Sequence, residues 1–176
     1  MLKIYNNSER RLNLILCGLK GSGKSTVGKL LAEALQLRFI DTDALIERAY
    51  GLSCRTLHQQ RGETFFRSAE AGQIALLKET THSVIALGGG SLQNAQSRWL
   101  LQQLGTLIYL KCAQDALDQR VGPFPVDTQQ RISLYTQIAH LTVDTTSLSP
   151  EEAVSSILRV LHNPSLDLSA TTPLYP

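Results

Sequence analysis

Between the apolar run Leu14-Ile15-Leu16-Cys17 and a helix-patterned segment over residues 26–36 stands the string Gly18-Leu19-Lys20-Gly21-Ser22-Gly23-Lys24-Ser25. Its glycines let consecutive backbone N–H groups turn into one concavity without Cβ clashes, which makes an anion cradle at a helix N-terminus. From that position Lys24 reaches the β- and γ-phosphates of a nucleotide, and the Ser25 hydroxyl can ligate Mg²⁺. A glycine-rich turn with an incidental lysine is the plainer alternative. It would require neither the strand before nor the helix after.

Five short runs rich in Leu, Ile and Val read as strands, at residues 12–17, 38–41, 83–87, 106–111 and 141–144. Helical spacing fills the stretches between them. Val27, Leu30, Leu31, Ala34 and Leu35 form one stripe in the first, and apolar residues at that spacing bury a single helix face. Ser149-Pro150-Glu151-Glu152 opens the last helix with an N-cap serine, a first-turn proline and a capping-box glutamate. Strands alternating with helices require crossovers and hence a parallel sheet covered on both faces. The predicted fold is therefore a doubly wound, three-layer α/β/α domain, with its ligand crevice beyond the carboxyl ends of the strands.

The 176 residues suffice for one core, and 43% apolar with 18% charged is ordinary for a globular chain. A net charge of +2, with basic residues scattered, argues against nucleic acid or an anionic membrane as partner. Cysteines at 17, 54 and 112 have neither disulfide nor zinc spacing, and reduced thiols fit a cytoplasmic protein. No apolar run reaches the length of a signal core or a membrane span. Residues 1–162 read as one domain, and 163–176, with three prolines and no periodicity, as a disordered tail.

Strand two ends in Asp41-Thr42-Asp43. On a pleated strand, positions i and i+2 point alike, so both carboxylates would face the phosphate loop, one to hold Mg²⁺ through water and one to receive a substrate hydroxyl. Equally, Asp43 could cap the helix that follows. Strand three ends in Gly88-Gly89-Gly90, which reads either as a tight turn or as backbone that a substrate approaches closely. Glu63, Arg67 and Glu70 share a predicted helix. Glu63 and Arg67 make an ordinary i, i+4 ion pair, or Arg67 forks onto a substrate carboxylate with a glutamate orienting it.

Taken together, the phosphate loop, Asp41-Thr42-Asp43, Gly62-Glu63-Thr64-Phe65-Phe66-Arg67-Ser68-Ala69-Glu70, Gly88-Gly89-Gly90 and Arg131-Ile132-Ser133-Leu134-Tyr135 with Ala139 resemble the shikimate kinases, in the family's order and over most of residues 12–161. The resemblance implies a P-loop NTPase fold with a five-stranded parallel sheet of order 2-3-1-4-5. It also implies a monomeric enzyme that uses MgATP to phosphorylate the 3-hydroxyl of shikimate on the way to chorismate and aromatic amino acids. Gly21, Ser22, Gly23, Lys24, Ser25 and Thr26 would hold ATP, with Lys24 stabilising the migrating phosphoryl group. Ser25 and, through water, Asp41 would hold Mg²⁺. Asp43 would act as base or orient the hydroxyl, while Arg67, Gly88, Gly89, Gly90 and Arg131 would hold shikimate.

Two departures stand out. The lid segment, residues 119–127, is short and lacks the family's Arg-Pro-Leu-Leu element, which leaves Arg120 as its one arginine. Arg120 better matches the lid arginine that the family places near adenine, and it is also the catalytic candidate that remains in the lid. His58 stands where the family usually has a phenylalanine, and no role is assigned to it. The competing readings are a P-loop kinase of another polyol acid such as gluconate, and a nucleotide-binding regulatory protein that has lost phosphotransfer. A GTPase switch lacks its Asn-Lys-x-Asp motif after strand four.

Overall fold

The computed structural model describes residues 13–122 and 128–163. Five strands, β1 (Asn13–Cys17), β2 (Arg38–Asp41), β3 (Ser83–Ala86), β4 (Thr106–Lys111) and β5 (Leu141–Asp144), form one sheet in the order β2-β3-β1-β4-β5. All four pairings are parallel. Seven α-helices connect or follow them: α1 (Lys24–Leu35), α2 (Thr42–Tyr50), α3 (Cys54–Leu76), α4 (Ala95–Leu104), α5 (Gln114–Val121), α6 (Thr128–Ile138) and α7 (Pro150–His162). The predicted strands are recovered to within a residue at each described end. Helix α1 starts at Lys24 rather than 26, because Gly23 at φ 93° already turns the chain into the helix.

Strand alternation explains the layers. Leu14, Leu16, Val84, Ile108 and Leu110 point into one core with Val27 and Leu31 of α1 and Ile157 and Leu161 of α7. Their strand neighbours Ile15, Cys17, Ile85, Leu107 and Tyr109 point the other way, against Ile74 of α3, Leu101 of α4 and Tyr135 of α6. Leu14, Ile15 and Leu16 are fully buried, because β1 is central and covered on both faces. Each such side chain contributes about 1.5–3 kcal/mol of burial. A Cβ at Gly28 would sit 2.6 Å from Phe39, so glycine lets α1 lie directly on β2. The capping box at Ser149 forms as the sequence predicts, with Glu152 N–H donating to Ser149 Oγ at 3.2 Å and Ser149 N–H to Glu152 Oε2 at 2.7 Å.

Asn13, 1% exposed at the start of β1, ties the lower edge of the sheet together. Its amide donates to Thr80 O at 2.7 Å and Leu104 O at 3.0 Å, and its Oδ1 accepts from Ser83 N–H at 3.1 Å. Asn13→Ala leaves three backbone groups without their partner, so a loss of about 3 kcal/mol is expected in urea unfolding. A loss under about 1 kcal/mol would contradict that accounting.

β1 sits where the strand order reverses, with β3 on one side and β4 on the other. In open parallel sheets the crevice at that switch point, beyond the strand carboxyl ends, is the ligand site. Among the described residues no helix is long and apolar enough to cross a membrane.

Candidate active site

The phosphate loop leaves β1 at this switch point. Gly21 and Gly23 adopt φ of 84° and 93°, the left-handed region where a Cβ is costly. Lys24 opens α1 and is 9% exposed, its Nζ donating to Leu19 O at 2.9 Å across the loop. Ser25 Oγ donates to Asp41 Oδ2 at 2.6 Å. The other Asp41 oxygen accepts from Asp43 N–H at 3.0 Å and Ala44 N–H at 3.4 Å, which caps α2. Thr26 follows with an exposed side chain.

Two expectations for strand two are thereby corrected. Asp41 and Asp43 do not alternate along one strand, because the Asp41 carboxylate caps α2 and ends β2 at that residue. The capping residue is Asp41, so Asp43 in the first helical turn is released from that role.

The three-glycine turn is decided by crowding rather than by backbone conformation. None of Gly88, Gly89 and Gly90 is among the positive-φ residues, so the turn itself does not demand glycine. A Cβ at Gly88 would fall on Asp43 Oδ1 and lie 3.0 Å from Glu70 Oε1, and one at Gly90 would lie 2.6 Å from Arg67 Cζ. Glycine thus lets a carboxylate of α2 and an Arg–Glu pair of α3 close onto the turn after β3. Gly88 N–H donates to Thr42 Oγ1 at 2.8 Å, and the Gly89 carbonyl accepts from Tyr135 Oη.

Arg67 is held from two sides. Its Nη1 pairs with Glu70, which is 4% exposed, while Nε and Nη2 reach Glu63 Oε1 at 3.4 and 3.3 Å. The guanidinium also overlies Phe66, with His58 edge-on to the same ring at 5.7 Å. The ion-pair reading of Arg67 is therefore present, and the pairs hold the guanidinium beside the glycine turn. Arg131 on α6 is half-buried, and its Nε has no hydrogen-bond partner among the described residues. Arg120 on α5 lies at the phosphate loop instead, Nη1 donating to Gly21 O at 3.3 Å and Cys112 Sγ at 3.4 Å, and Nη2 to Thr145 O and Thr146 O at 3.2 and 3.3 Å. Helix α5 runs to Val121, so the first residues of the stretch predicted as lid, 119–121, are helical. Residues 123–127 and 164–176 lie outside the described residues.

Ser22 Oγ and Arg131 Nε are the two buried side-chain polar atoms without a partner among the described residues. Such orphans are rare in folded proteins, and each calls for an explanation. One lies in the phosphate loop and the other on a predicted substrate arginine, so both fit a site completed by ligands. The Ser25 hydroxyl and Asp41 carboxylate offer the hard oxygens Mg²⁺ prefers. Among the described residues no three His, Cys, Asp or Glu side chains gather to hold a metal on their own. Mg²⁺ in such sites draws its remaining ligands from phosphate and water.

Burial sets the charge states. It pulls the Lys24 ammonium below its ordinary value, against the opposing pull of Asp43, Cys17 and Asp41. Asp43 is pushed up from 3.8 to about 6, first by burial and then by Asp41 and Glu70, with Lys24 opposing. The folded protein therefore binds this proton more tightly than the unfolded chain. The associated stability is complete below about pH 3.8 and is lost as pH rises through about 6. Asparagine mimics the protonated form, so Asp43→Asn in EDTA without nucleotide should stabilise the protein at pH 8 by about 1–2 kcal/mol, discounted for partial exposure. The gain should fade below pH 4 in urea titrations; a gain independent of pH would contradict the assigned cause.

Sequence reasoning gave no role to Thr42, Tyr135 or Cys112. Thr42 and Tyr135 are each 2% exposed. Both lie inside quoted motifs, but only the fold shows that they fasten the glycine turn.

A family model described as shikimate kinase matches residues 20–123. The shikimate kinase of Rippkaea orientalis is 35% identical over 165 residues, covering 85% of this chain and 88% of the relative. The structure of shikimate kinase from Acinetobacter baumannii in complex with shikimate superposes with a TM-score of 0.80 at 29% identity, covering 90% of this chain and 97% of that one. A gluconokinase from Sinorhizobium meliloti reaches only 0.54 at 18% identity, over 88% of this chain and 95% of that one, a likeness of fold alone. The chain belongs to the shikimate kinase family.

Proposed function

We propose that this protein transfers the γ-phosphoryl group of MgATP to the 3-hydroxyl of shikimate, giving shikimate 3-phosphate and ADP, a step toward chorismate and aromatic amino acids. The observation that carries this reading is the closure of Asp43, Glu70 and Arg67 onto Gly88 and Gly90 in front of the phosphate loop. A carboxylate that can receive a hydroxyl and a guanidinium that can hold a carboxylate stand on the acceptor side. That pair matches a small hydroxylated monoanion.

In this mechanism the loop amides and Lys24 hold the phosphates, and Ser25 with Asp41 would hold Mg²⁺, which would offset the phosphate charge. Arg67 and Arg131 fix the shikimate carboxylate, and the backbone of Gly88, Gly89 and Gly90 supports the ring. The 3-hydroxyl oxygen attacks the γ-phosphorus in line, its bond to the ADP oxygen breaks, and the hydroxyl proton passes to Asp43. Little else is needed, because phosphoryl transfer is governed by alignment and charge neutralisation. Arg120 lies against the phosphate loop and the turn after β5, which suits the nucleotide side rather than the acceptor.

Gluconate is the competing acceptor, since it shares the carboxylate and hydroxyl pattern. A regulator without phosphotransfer would need no carboxylate reader beside its nucleotide site. Product NMR tests the proposal: with MgATP and shikimate, a new phosphorus signal coupled to the ring proton at C3 is expected. No phosphorylated shikimate, or phosphorylation at another carbon, would overturn it.

A further inference from the structure

Lys20 is the second lysine of the phosphate loop, and the mechanism above does not use it. Its two chain neighbours are both anchors: Leu19 O accepts from Lys24 Nζ and Gly21 O from Arg120 Nη1. Lys20 itself is exposed, and no hydrogen bond or ion pair engages its ammonium among the described residues. Its backbone nitrogen is the nearest atom to the Cβ position of Gly89, at 3.8 Å. Gly89 belongs to the turn that receives Asp43, Glu70 and Arg67. Lys20 therefore stands where the donor loop meets the acceptor turn, and its stem gives the ammonium about 6 Å of reach.

Three other cations near the crevice already have protein partners, whereas the half-buried Arg131 keeps its Nε unpartnered among the described residues. Lys24 is buried and bonded to Leu19 O, Arg67 is paired with Glu63 and Glu70, and Arg120 donates to three carbonyls and a thiol. Between Arg120 and Arg131 the chain carries no lysine or arginine, and Asp127 adds a negative charge. A phosphoryl group in flight between ATP and an anionic acceptor gathers charge at the junction of the two sites.

We propose that Lys20 is a further catalytic residue, its ammonium contacting the γ-phosphoryl oxygens during transfer. The phosphorus–oxygen bond to ADP breaks, the bond to the acceptor oxygen forms and the hydroxyl proton goes to Asp43. Lys20 stays protonated throughout. The proposal rests on the shikimate kinase reading, and the experiment separates the two.

Lys20→Met and Lys20→Arg are compared with wild type for shikimate-dependent ADP release and for binding of ADP, and of ADP with aluminium fluoride and shikimate. For Lys20→Met a fall in kcat of about 10- to 100-fold is expected, with both KM values and ADP affinity within about threefold. Affinity for the aluminium fluoride complex should fall by a similar factor, and Lys20→Arg should recover most of both losses. A kcat within twofold of wild type, a loss carried wholly by ADP affinity, or no recovery with arginine would overturn the role of Lys20 and leave the activity standing. Wild-type protein with neither turnover nor a shikimate-dependent aluminium fluoride complex would overturn both.

Discussion

Lys24→Ala is expected to lower shikimate-dependent ADP release by about 10³-fold or more. The residue opens α1 at the centre of the loop, 9% exposed, with its ammonium drawn across to Leu19 O. In that position its charge is fixed before ATP arrives and costs no reorganisation as the phosphoryl group moves. The fold should tolerate the change better than the chemistry does. Burial already disfavours the charged form, and the loop glycines, not this side chain, set the backbone path. Urea unfolding should therefore shift by no more than about 1–2 kcal/mol. Near-normal turnover in this variant would remove the loop from the mechanism, and a large loss of stability would recast Lys24 as a structural strut.

Arg67→Ala should separate the two ligands. A charge-assisted contact to one carboxylate is worth about 1.5–3 kcal/mol, so calorimetry should show shikimate affinity falling about 10- to 150-fold while MgATP affinity stays within about twofold. Arg67→Lys should restore little, because an ammonium cannot offer the planar fork that reaches Glu63, Glu70 and a ligand together. The variant also leaves Glu70, 4% exposed, without its guanidinium. Some loss of stability is expected from that buried charge. Equal losses for both ligands would mean that the acceptor side had collapsed or that Arg67 does not face shikimate.

Much of this was legible from periodicity and punctuation. Leu14 to Cys17 followed by the glycine loop placed the central strand and its ligand end. The stripe of α1 and the capping box of α7 emerged because their signals are local, within four or so residues. Asp43 was harder. The pleat does not set its position, since whether a strand continues past Asp41 depends on where that carboxylate turns, here to the N–H groups of Asp43 and Ala44. The need for glycine at 88 and 90 could not be separated from turn formation either. Its cause is the approach of Asp43, Glu70 and Arg67 from other helices. Arg120 poses the same difficulty at longer range, its carbonyl partners Thr145 and Thr146 lying 25 and 26 residues on. Contacts of that kind follow from sheet order, which single-sequence periodicity does not contain.

The most direct test is steady-state ADP release from MgATP by the purified protein, with shikimate, with gluconate and with neither. ADP release that depends on shikimate, with gluconate indistinguishable from no acceptor, is the predicted result. Release that ignores shikimate, or that gluconate stimulates in its place, would contradict the assignment of Arg67, Arg131 and the glycine turn to the shikimate carboxylate and ring.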